Sequence, residues 1–243
     1  MTAWPPGAAL LRFAEIDSTN EEARRRAVAG ERGPLWITAA RQSAGRGRRA
    51  RSWHTLPGNL AATLLLRPEV PARHAAQLSF AAALAAADMA QHFAARASVT
   101  VKWPNDVLAD GRKLAGILLE SGSEHGFWLA IGIGVNLVHF PSDTEFPATS
   151  LAALGIEAPP PEDALAMLAV RFAYWHERWR SAGFEGLRDA WLARAGGLGS
   201  RIRARLPQEE CAGVFEGIDA SGALLLNEGH GRVRAIAAGE VFW

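Results

Sequence analysis

The sequence predicts an α+β protein with two domains, residues 1–196 and residues 197–243. In the first part, short apolar segments typical of strands alternate with longer segments of helical character. The run Gly196-Gly197-Leu198-Gly199 then interrupts any regular element and marks the domain boundary. After it, four short apolar stretches are separated by turn sequences, a pattern typical of a small β-barrel.

Local signals place the elements in order. A helix is predicted to start at Asp17-Ser18-Thr19-Asn20, where a short polar side chain can cap the helix and Glu21 and Glu22 suit its first turn. Strands are predicted at residues 35–40, 60–66, 99–103, 113–120 and 127–137, and helices at residues 74–96, 161–179 and 184–195. Turns are predicted at residues 104–106 and 109–111. The small domain is predicted to contain strands at residues 201–206, 212–218, 223–227 and 233–236.

Composition indicates a globular protein without a strong overall charge. A chain of 243 residues with 49% hydrophobic content supports a sizeable core, and a net charge of +1 argues against a polycation that coats nucleic acid. The single cysteine, Cys211, rules out an internal disulfide and fits a reducing compartment, so we expect a cytoplasmic protein. The most apolar region, residues 78–95, contains Asp88 and His92, so we interpret it as a buried helix and expect no membrane association.

Basic charge is concentrated in one segment, RQSAGRGRRARSW at residues 41–53, which has five arginines and no acid. Glycines that permit close backbone approach, alternating with guanidinium groups, suit the binding of phosphate or carboxylate oxygens. A solvated basic loop or a nucleic-acid arm would use the same residues. Binding of a dinucleotide by a GxGxxG motif is not indicated, because no helix with a suitably placed acid follows.

The chain has 26 basic residues, of which only Lys102 and Lys113 are lysines. They lie in Val101-Lys102-Trp103-Pro104-Asn105-Asp106 and Lys113-Leu114-Ala115-Gly116. A strand, a turn and a returning strand would bring Asp106 and Lys113 to one edge of a sheet, and a compact ammonium suits an oxygen that moves during a reaction. A plain hairpin, with the aspartate capping its own turn and the lysine exposed, is the alternative.

Two further segments have both a functional and a structural interpretation. In Ile131-Gly132-Ile133-Gly134-Val135-Asn136, glycines interrupt a strand, where they mark either a simple bulge or a place that a ligand needs. Ser18-Thr19-Asn20 is either a ligand-binding segment or only a helix cap.

These segments occur together and in this order, and over residues 15–137 they resemble the biotin protein ligases. The resemblance implies a catalytic domain with a mixed sheet and flanking helices, of the class II synthetase-like kind, followed by a small SH3-like β-barrel. It implies a ligase that joins biotin to ATP, releases pyrophosphate, holds biotinyl-5'-AMP and transfers biotin to a lysine. The implied cofactors are ATP, biotin and Mg²⁺, and the implied partner is the biotin carboxyl carrier domain of a biotin-dependent carboxylase.

The resemblance also implies roles for individual residues. Those expected to bind biotin are Ser18, Thr19, Asn20, Gln42, Gly45, Arg46, Arg48, Trp53, Lys113 and Gly116. Those expected to bind the nucleotide are Arg46, Arg48, Arg49, Arg51, Trp53, Lys113 and Asn136. Those expected to take part in catalysis are Lys113, Arg48 and Asp106, with Lys113 bridging the biotin carboxylate and the α-phosphate and Asp106 facing the incoming acceptor lysine.

The sequence departs from part of that family in two ways. Only 17 residues precede Ser18, too few for a helix-turn-helix module, so we expect no DNA binding; a homodimer is left open. Ala61-Ala62-Thr63 stands where larger or aromatic residues are expected, which affects the pocket wall. Two other functions remain as alternatives, a lipoate or octanoyl protein ligase and a basic nucleic-acid-binding module without catalysis.

Overall fold

The computed structural model describes residues 4–53 and 55–243, which form a seven-stranded and a five-stranded sheet with helices. The strands of the larger sheet are β1 (Ala9–Ile16), β2 (Leu35–Gln42), β3 (Leu60–Leu66), β4 (Val99–Lys102), β5 (Asp106–Ala109), β6 (Arg112–Gly122) and β7 (Trp128–Val135). They lie in the order β1-β2-β3-β7-β6-β5-β4, and only the β1–β2 pair is parallel. The helices are α1 (Thr19–Val28), α2 (Ala72–Ala75), α3 (Leu78–Phe93) and α4 (Pro161–Leu192).

One face of the larger sheet is covered by α3 and α4. The alanine-rich sequence of α3 leaves small side chains on several sides, so a sheet and a second helix can both approach it closely. Helix α4 contributes large aromatic side chains to the same layer, and these are buried in the core: Phe172, Trp175, Trp179 and Trp191. This layer forms the main hydrophobic core.

The opposite face is covered by α1 at one end and remains open at the other. Because side chains alternate along a strand, Leu60, Ala62 and Leu64 of β3 face the main core while Leu65 packs with Ala23 and Ala27 of α1. The same alternation places Ala130 of β7 under α1. The open end of this face is where the cavity described below lies.

Cross-strand register lines up small residues on the open end. Ala61 of β3 pairs with Gly134 of β7, which pairs with Gly116 of β6. The neighbouring row contains Thr63, Gly132 and Leu118. The first row has no side chain larger than a methyl group, so it forms a shallow trough across three strands.

The smaller sheet contains β8 (Arg201–Arg205), β9 (Glu210–Ile218), β10 (Leu224–Gly229), β11 (Arg232–Ile236) and β12 (Glu240–Phe242), in the order β11-β10-β9-β8-β12. Neighbouring strands are all antiparallel. Trp103 joins this unit to the larger one, because its indole Nε1 donates to the carbonyl of Gly222 over 3.0 Å. We continue to propose the domain boundary at residues 196/197, between the end of α4 and the start of β8.

The predicted class, a mixed sheet with flanking helices followed by a small SH3-like β unit, is confirmed. Several element predictions were wrong in detail. Strands β1, β5 and β12 were not predicted, and Asp106, assigned to a turn, begins β5. The helix predicted at residues 74–96 is two helices, and the pair predicted after residue 161 is one element interrupted at Gly183, whose φ of 70° is not helical. No helix within the described residues is both long and apolar enough to cross a bilayer.

Candidate functional site

A cavity of about 510 Å³ lies over the trough, between the start of α1, the basic segment and the edge of the smaller sheet. Its volume is within the range of sites for small ligands. Of the fourteen residues to which the resemblance assigns a role, twelve line it, namely Ser18, Thr19, Asn20, Gln42, Arg46, Arg48, Arg51, Trp53, Asp106, Lys113, Gly116 and Asn136. Gly45 and Arg49 do not line it.

The wall beside α1 is a buried polar network. Ser18, Thr19, Asn20 and Thr63 are each 4% exposed or less. The hydroxyl of Thr63 lies 2.8 Å from Thr19 Oγ1 and 2.7 Å from Asn20 Oδ1. Buried polar groups of this kind hold a fixed arrangement because leaving any of them unpaired is costly.

Gln42 and Glu120 complete this network. The Thr19 amide and hydroxyl donate to Gln42 Oε1, over 2.8 and 3.1 Å, and Gln42 Nε2 donates to Thr55 Oγ1 over 2.8 Å. Asn20 Nδ2 donates to Glu120 Oε2 over 2.7 Å. Ser18 occupies the N-cap position of α1, but its side chain makes no capping hydrogen bond, so the interpretation of Ser18 as a helix cap was wrong.

The glycines of β7 make room for side chains. A Cβ added to Gly134 would lie 2.2 Å from the Trp53 ring, and one added to Gly132 would lie 2.3 Å from Asn20 Oδ1. The β7 register continues without a shift on both sides, so the simple bulge was the wrong interpretation of these glycines. Trp53 therefore lies over the trough as the apolar lid of this end of the cavity, and Ala61 contributes to the same row.

The basic segment is a hairpin in this structure; we call residues 44–53 the arginine loop. Trp53 N donates to Gly45 O over 2.9 Å, Gly47 N donates to Arg51 O over 2.7 Å, and Arg46 pairs with Ser52. Gly45 fits where no other residue would, since an added Cβ would lie 2.4 Å from the Trp53 carbonyl oxygen. The role of Gly45 in the structure is thus to bring the two arms of the loop together.

The four arginines of the loop contact three sets of partners. Arg46 Nη2 lies 3.2 Å from Glu21 Oε2 of α1 and 3.6 Å from Glu120 Oε1 of β6. Arg48 Nη1 donates to Asn105 Oδ1 over 3.2 Å and to the Gly239 carbonyl over 3.3 Å, and burial lowers the pKa of Arg48. Arg49 and Arg51 both reach Glu240 of the smaller sheet.

Lys113 and Asp106 meet at the floor of the cavity. Lys113 Nζ lies 2.7 Å from Asp106 Oδ1, and it lies 5.8 Å from the centre of the Trp53 ring. The two side chains are 29% and 15% exposed, so the pair is accessible from the cavity. The alternative of a hairpin with an exposed lysine and a self-capping aspartate was wrong. Asn136, by contrast, is 3% exposed, and its Nδ2 donates to the Thr149 carbonyl over 3.1 Å.

Lys102, the other lysine, is 2% exposed and also lines the cavity. Its Nζ lies 2.8 Å from the centre of the Phe146 ring and 5.1 Å from that of Trp243. Burial, the largest cause, lowers the pKa of Lys102 to about 7. Sequence reasoning noted Lys102 as unusual but did not place it in the site.

Among the further residues of the site, Glu240 and Phe146 had not been found from the sequence, and Asn105 lay in a quoted motif without a role. Glu240 lies 189 residues beyond Arg51, and no local pattern reports a contact of that span. The only available signal was the excess of arginine in the loop, which required carboxylates from elsewhere in the chain.

Fold and cavity define a protein with a small-molecule cavity between a cationic loop and an apolar trough. Residues 13–136 match the Biotin/lipoate A/B protein ligase family, and residues 197–243 match the Biotin protein ligase C terminal domain. The chain is 48% identical over 239 residues to a biotin--[acetyl-CoA-carboxylase] ligase of Paracoccus denitrificans, covering 95% of this chain and 99% of that one. It is 35% identical to a ligase of the same name from Mycobacterium tuberculosis, covering 94% of this chain and 86% of that one. The chain therefore belongs to the biotin protein ligase family.

The fold agrees with this assignment. A biotin protein ligase from Aquifex aeolicus, solved in complex with biotin and ATP, superposes with a TM-score of 0.82. The match covers 96% of this chain and 97% of that one, at 24% sequence identity.

The contact between Gly134 and Trp53 predicts a graded response to added methyl groups. Gly134→Ala should destabilise the protein by about 1–3 kcal/mol, because the Trp53 ring has to move. Gly116→Ala should cost less, since its Cβ would lie 3.2 Å from the ring. Urea unfolding measures both free energies.

A Trp53→Ala background is the control for this test. Without the indole, Gly134→Ala should cost no more than about 0.5 kcal/mol, within the range of neutral substitutions. An unchanged cost in that background would show that Trp53 is not what the glycine accommodates.

Lys102 predicts a pH-dependent stability. Its folded pKa of about 7 lies below the ordinary value of 10.5, so between these limits the unfolded chain binds a proton that the folded chain lacks, and stability rises with pH. Lys102→Met removes this titration. The stability of the wild type relative to the variant should therefore improve by about 2 kcal/mol from pH 7 to pH 9. Urea unfolding of both proteins at the two pH values measures it, and an unchanged difference would mean that Lys102 titrates normally.

Proposed function

We propose that this protein is an ATP-dependent biotin protein ligase. It activates biotin to biotinyl-5'-AMP with release of pyrophosphate and transfers biotin to a specific lysine of a biotin carboxyl carrier domain. The observation that carries the proposal is the Lys113–Asp106 pair on the floor of a cavity closed by the arginine loop. The identity of 48% to a biotin--[acetyl-CoA-carboxylase] ligase over nearly the whole chain supports it.

Biotin lies along the trough in this proposal. The polar network at the start of α1 supplies hydroxyl and amide groups for the ureido ring, from Ser18, Thr19, Asn20 and Gln42. Gly116 allows the ligand to approach the sheet closely, and Trp53 covers it. The carboxylate end then points to Lys113.

The nucleotide enters beside the arginine loop. Arg46, Arg48 and Arg51 line the cavity and present guanidinium groups to phosphate oxygens, while Arg49 acts from outside the lining. Asn136 lines the nucleotide end, where the hydrogen bond to Thr149 fixes its amide.

In this proposal the protein catalyses the first step by positioning the two substrates and by stabilising the charge of the transition state. A biotin carboxylate oxygen attacks the α-phosphorus, the bond from that phosphorus to the bridging oxygen breaks, and pyrophosphate leaves. Two anions have to approach each other, so Lys113 and Arg48 offset the repulsion and stabilise charge on the α-phosphoryl oxygens.

In the second step an amine replaces AMP on the acyl carbon. The acceptor lysine attacks the carbonyl of biotinyl-5'-AMP, an amide forms, and AMP leaves with the electron pair of the broken C–O bond. Asp106, partly exposed beside Lys113, meets the incoming ammonium and accepts its proton.

We propose Mg²⁺ as the companion of the nucleotide. In the described ranges, 4–53 and 55–243, no three histidine, cysteine, aspartate or glutamate side chains converge on a metal position. Mg²⁺ is usually bound through one or two carboxylates plus substrate phosphate oxygens, so we expect the ion to arrive with the nucleotide. When bound, the ion supplies further charge neutralisation on the polyphosphate.

The partner in this proposal is the carrier domain of a biotin-dependent carboxylase, and the compartment is the cytoplasm. We also propose that the chain does not bind DNA. Its net charge of +1 supports this, since proteins that coat nucleic acid carry a strong positive charge.

The proposal predicts exchange of labelled pyrophosphate into ATP that depends on biotin. Biotin should support exchange, and lipoate and octanoate should not. Adding an isolated carrier domain should then give a biotinylated lysine, detected by mass spectrometry. Folded protein without biotin-dependent exchange contradicts the proposal, and exchange supported by lipoate instead assigns the protein to the rival acyl ligase activity.

Lys113→Ala should reduce that exchange by at least about a hundredfold, the usual size of losing a group that stabilises transition-state charge. Arg112→Ala is the matched control, because Arg112 is the adjacent cation of β6 and is exposed. If Lys113→Ala and Arg112→Ala exchange pyrophosphate at equal rates, Lys113 has no specific role in the reaction.

A further inference from the structure

Glu240 joins the smaller sheet to the arginine loop across 189 residues of sequence. Arg51 approaches it with two nitrogens, Nη1 at 2.8 Å from Oε1 and Nη2 at 3.0 Å from Oε2. Arg49 Nη1 lies 3.2 Å from Oε2. Two-pronged contacts of this kind fix orientation as well as distance.

The Glu240 carboxylate is held in a fixed position. Glu240 begins β12 and pairs with Arg205 of β8, so the backbone on which it stands belongs to a sheet. Its side chain is only 12% exposed. The preceding carbonyl, Gly239 O, accepts from Arg48 Nη1 over 3.3 Å, so two successive residues of the smaller sheet hold the loop.

The other end of the loop is held separately. Arg46 contacts Glu21 and Glu120 in the larger domain, and the arms of the hairpin are joined through their backbones. At the tip, Arg49 and Arg51 are held by Glu240 of the smaller sheet, while Arg48 contacts both Gly239 and, in the larger domain, Asn105. Glu145 adds a weaker contact to Arg51 at 3.7 Å.

We propose that Glu240 is a positioning residue that anchors the tip of the arginine loop to the C-terminal sheet and holds the cavity closed. The anchor is a set of contacts within the chain, and its catalytic consequence rests on the ligase function proposed above. These contacts set Arg48 and Trp53 over the cavity.

Removing the charge of Glu240 should change the KM for ATP in opposite directions, depending on whether Glu240 anchors the loop or only repels the phosphates. Glu240 lines the cavity, and a carboxylate near a triphosphate repels it. If repulsion were its only effect, Glu240→Gln would lower the KM for ATP. If Glu240 positions the arginines, the same change releases them and raises that KM.

Glu228→Gln is the matched control. Glu228 is on β10, is 17% exposed, and also contacts two arginines, with distances of 3.0 Å to Arg232 and 3.6 Å to Arg234. β10 lies three strands away from β12 in the smaller sheet. Glu228 is therefore a carboxylate paired with two arginines, like Glu240, but it does not contact the arginine loop.

The first measurement is native-state cleavage by trypsin of the ligand-free proteins, with the cut sites located by mass spectrometry. Glu240→Gln should speed cleavage between Arg46 and Arg51 by about three- to tenfold, the size expected for loss of two partly exposed ion pairs. Cleavage elsewhere, and cleavage of Glu228→Gln, should match the wild type. A wild-type rate at the loop overturns the anchor, and so does an equal rise at every site, since Glu240 would then act through global stability.

The second measurement is steady-state exchange. Glu240→Gln should raise the KM for ATP by about tenfold, with less than a threefold change in kcat, and Glu240→Asp should give an intermediate KM. An unchanged or lower KM for ATP overturns the positioning role. If the wild type shows no biotin-dependent exchange, the ligase proposal fails, while the trypsin result still decides whether Glu240 anchors the loop.

Discussion

Four arginines within six residues repel one another, and the arginine loop folds because carboxylates from distant parts of the chain share its charge. Glu21 and Glu120 meet Arg46, and Glu240 meets Arg49 and Arg51. Without these carboxylates, guanidinium groups at such density favour full hydration and an open loop. The position of the loop over the cavity depends on this pairing.

The second requirement is space on the sheet. The row Ala61, Gly134 and Gly116 removes side chains from three adjacent strands, and the Trp53 ring lies over the gap. A flat aromatic group above a flat trough suits a ligand with a thin ring system. Glycine in a strand interior costs stability, so this arrangement exchanges stability for room. Charge from the loop and room from the sheet together make a site for an anion with a ring.

Much of the site could be predicted because its residues lie in short motifs. The Asp106–Lys113 contact follows from a strand, a turn and a return, and Gln42 and Trp53 flank the same loop. Glu240 could not be predicted, because the partner of a surface arginine is chosen by tertiary packing. Tertiary packing also explains why the expected capping hydrogen bond is absent: Ser18 occupies the N-cap position of α1, but its side chain does not cap the helix. For the fold, long apolar segments were found from their pattern, whereas β1 was missed because its burial is only partial and its alternation is weak.

The central claim is that the arginine loop closes around the acyl adenylate and shields its mixed anhydride from water. Amide hydrogen exchange of residues 44–53, with and without biotinyl-5'-AMP, tests this most directly. Closure predicts that the amides of Gly47 and Trp53, which are hydrogen-bonded within the hairpin, exchange at least about tenfold more slowly when the adenylate is bound. Equal exchange in the two states would contradict the claim and leave the loop as a basic surface segment.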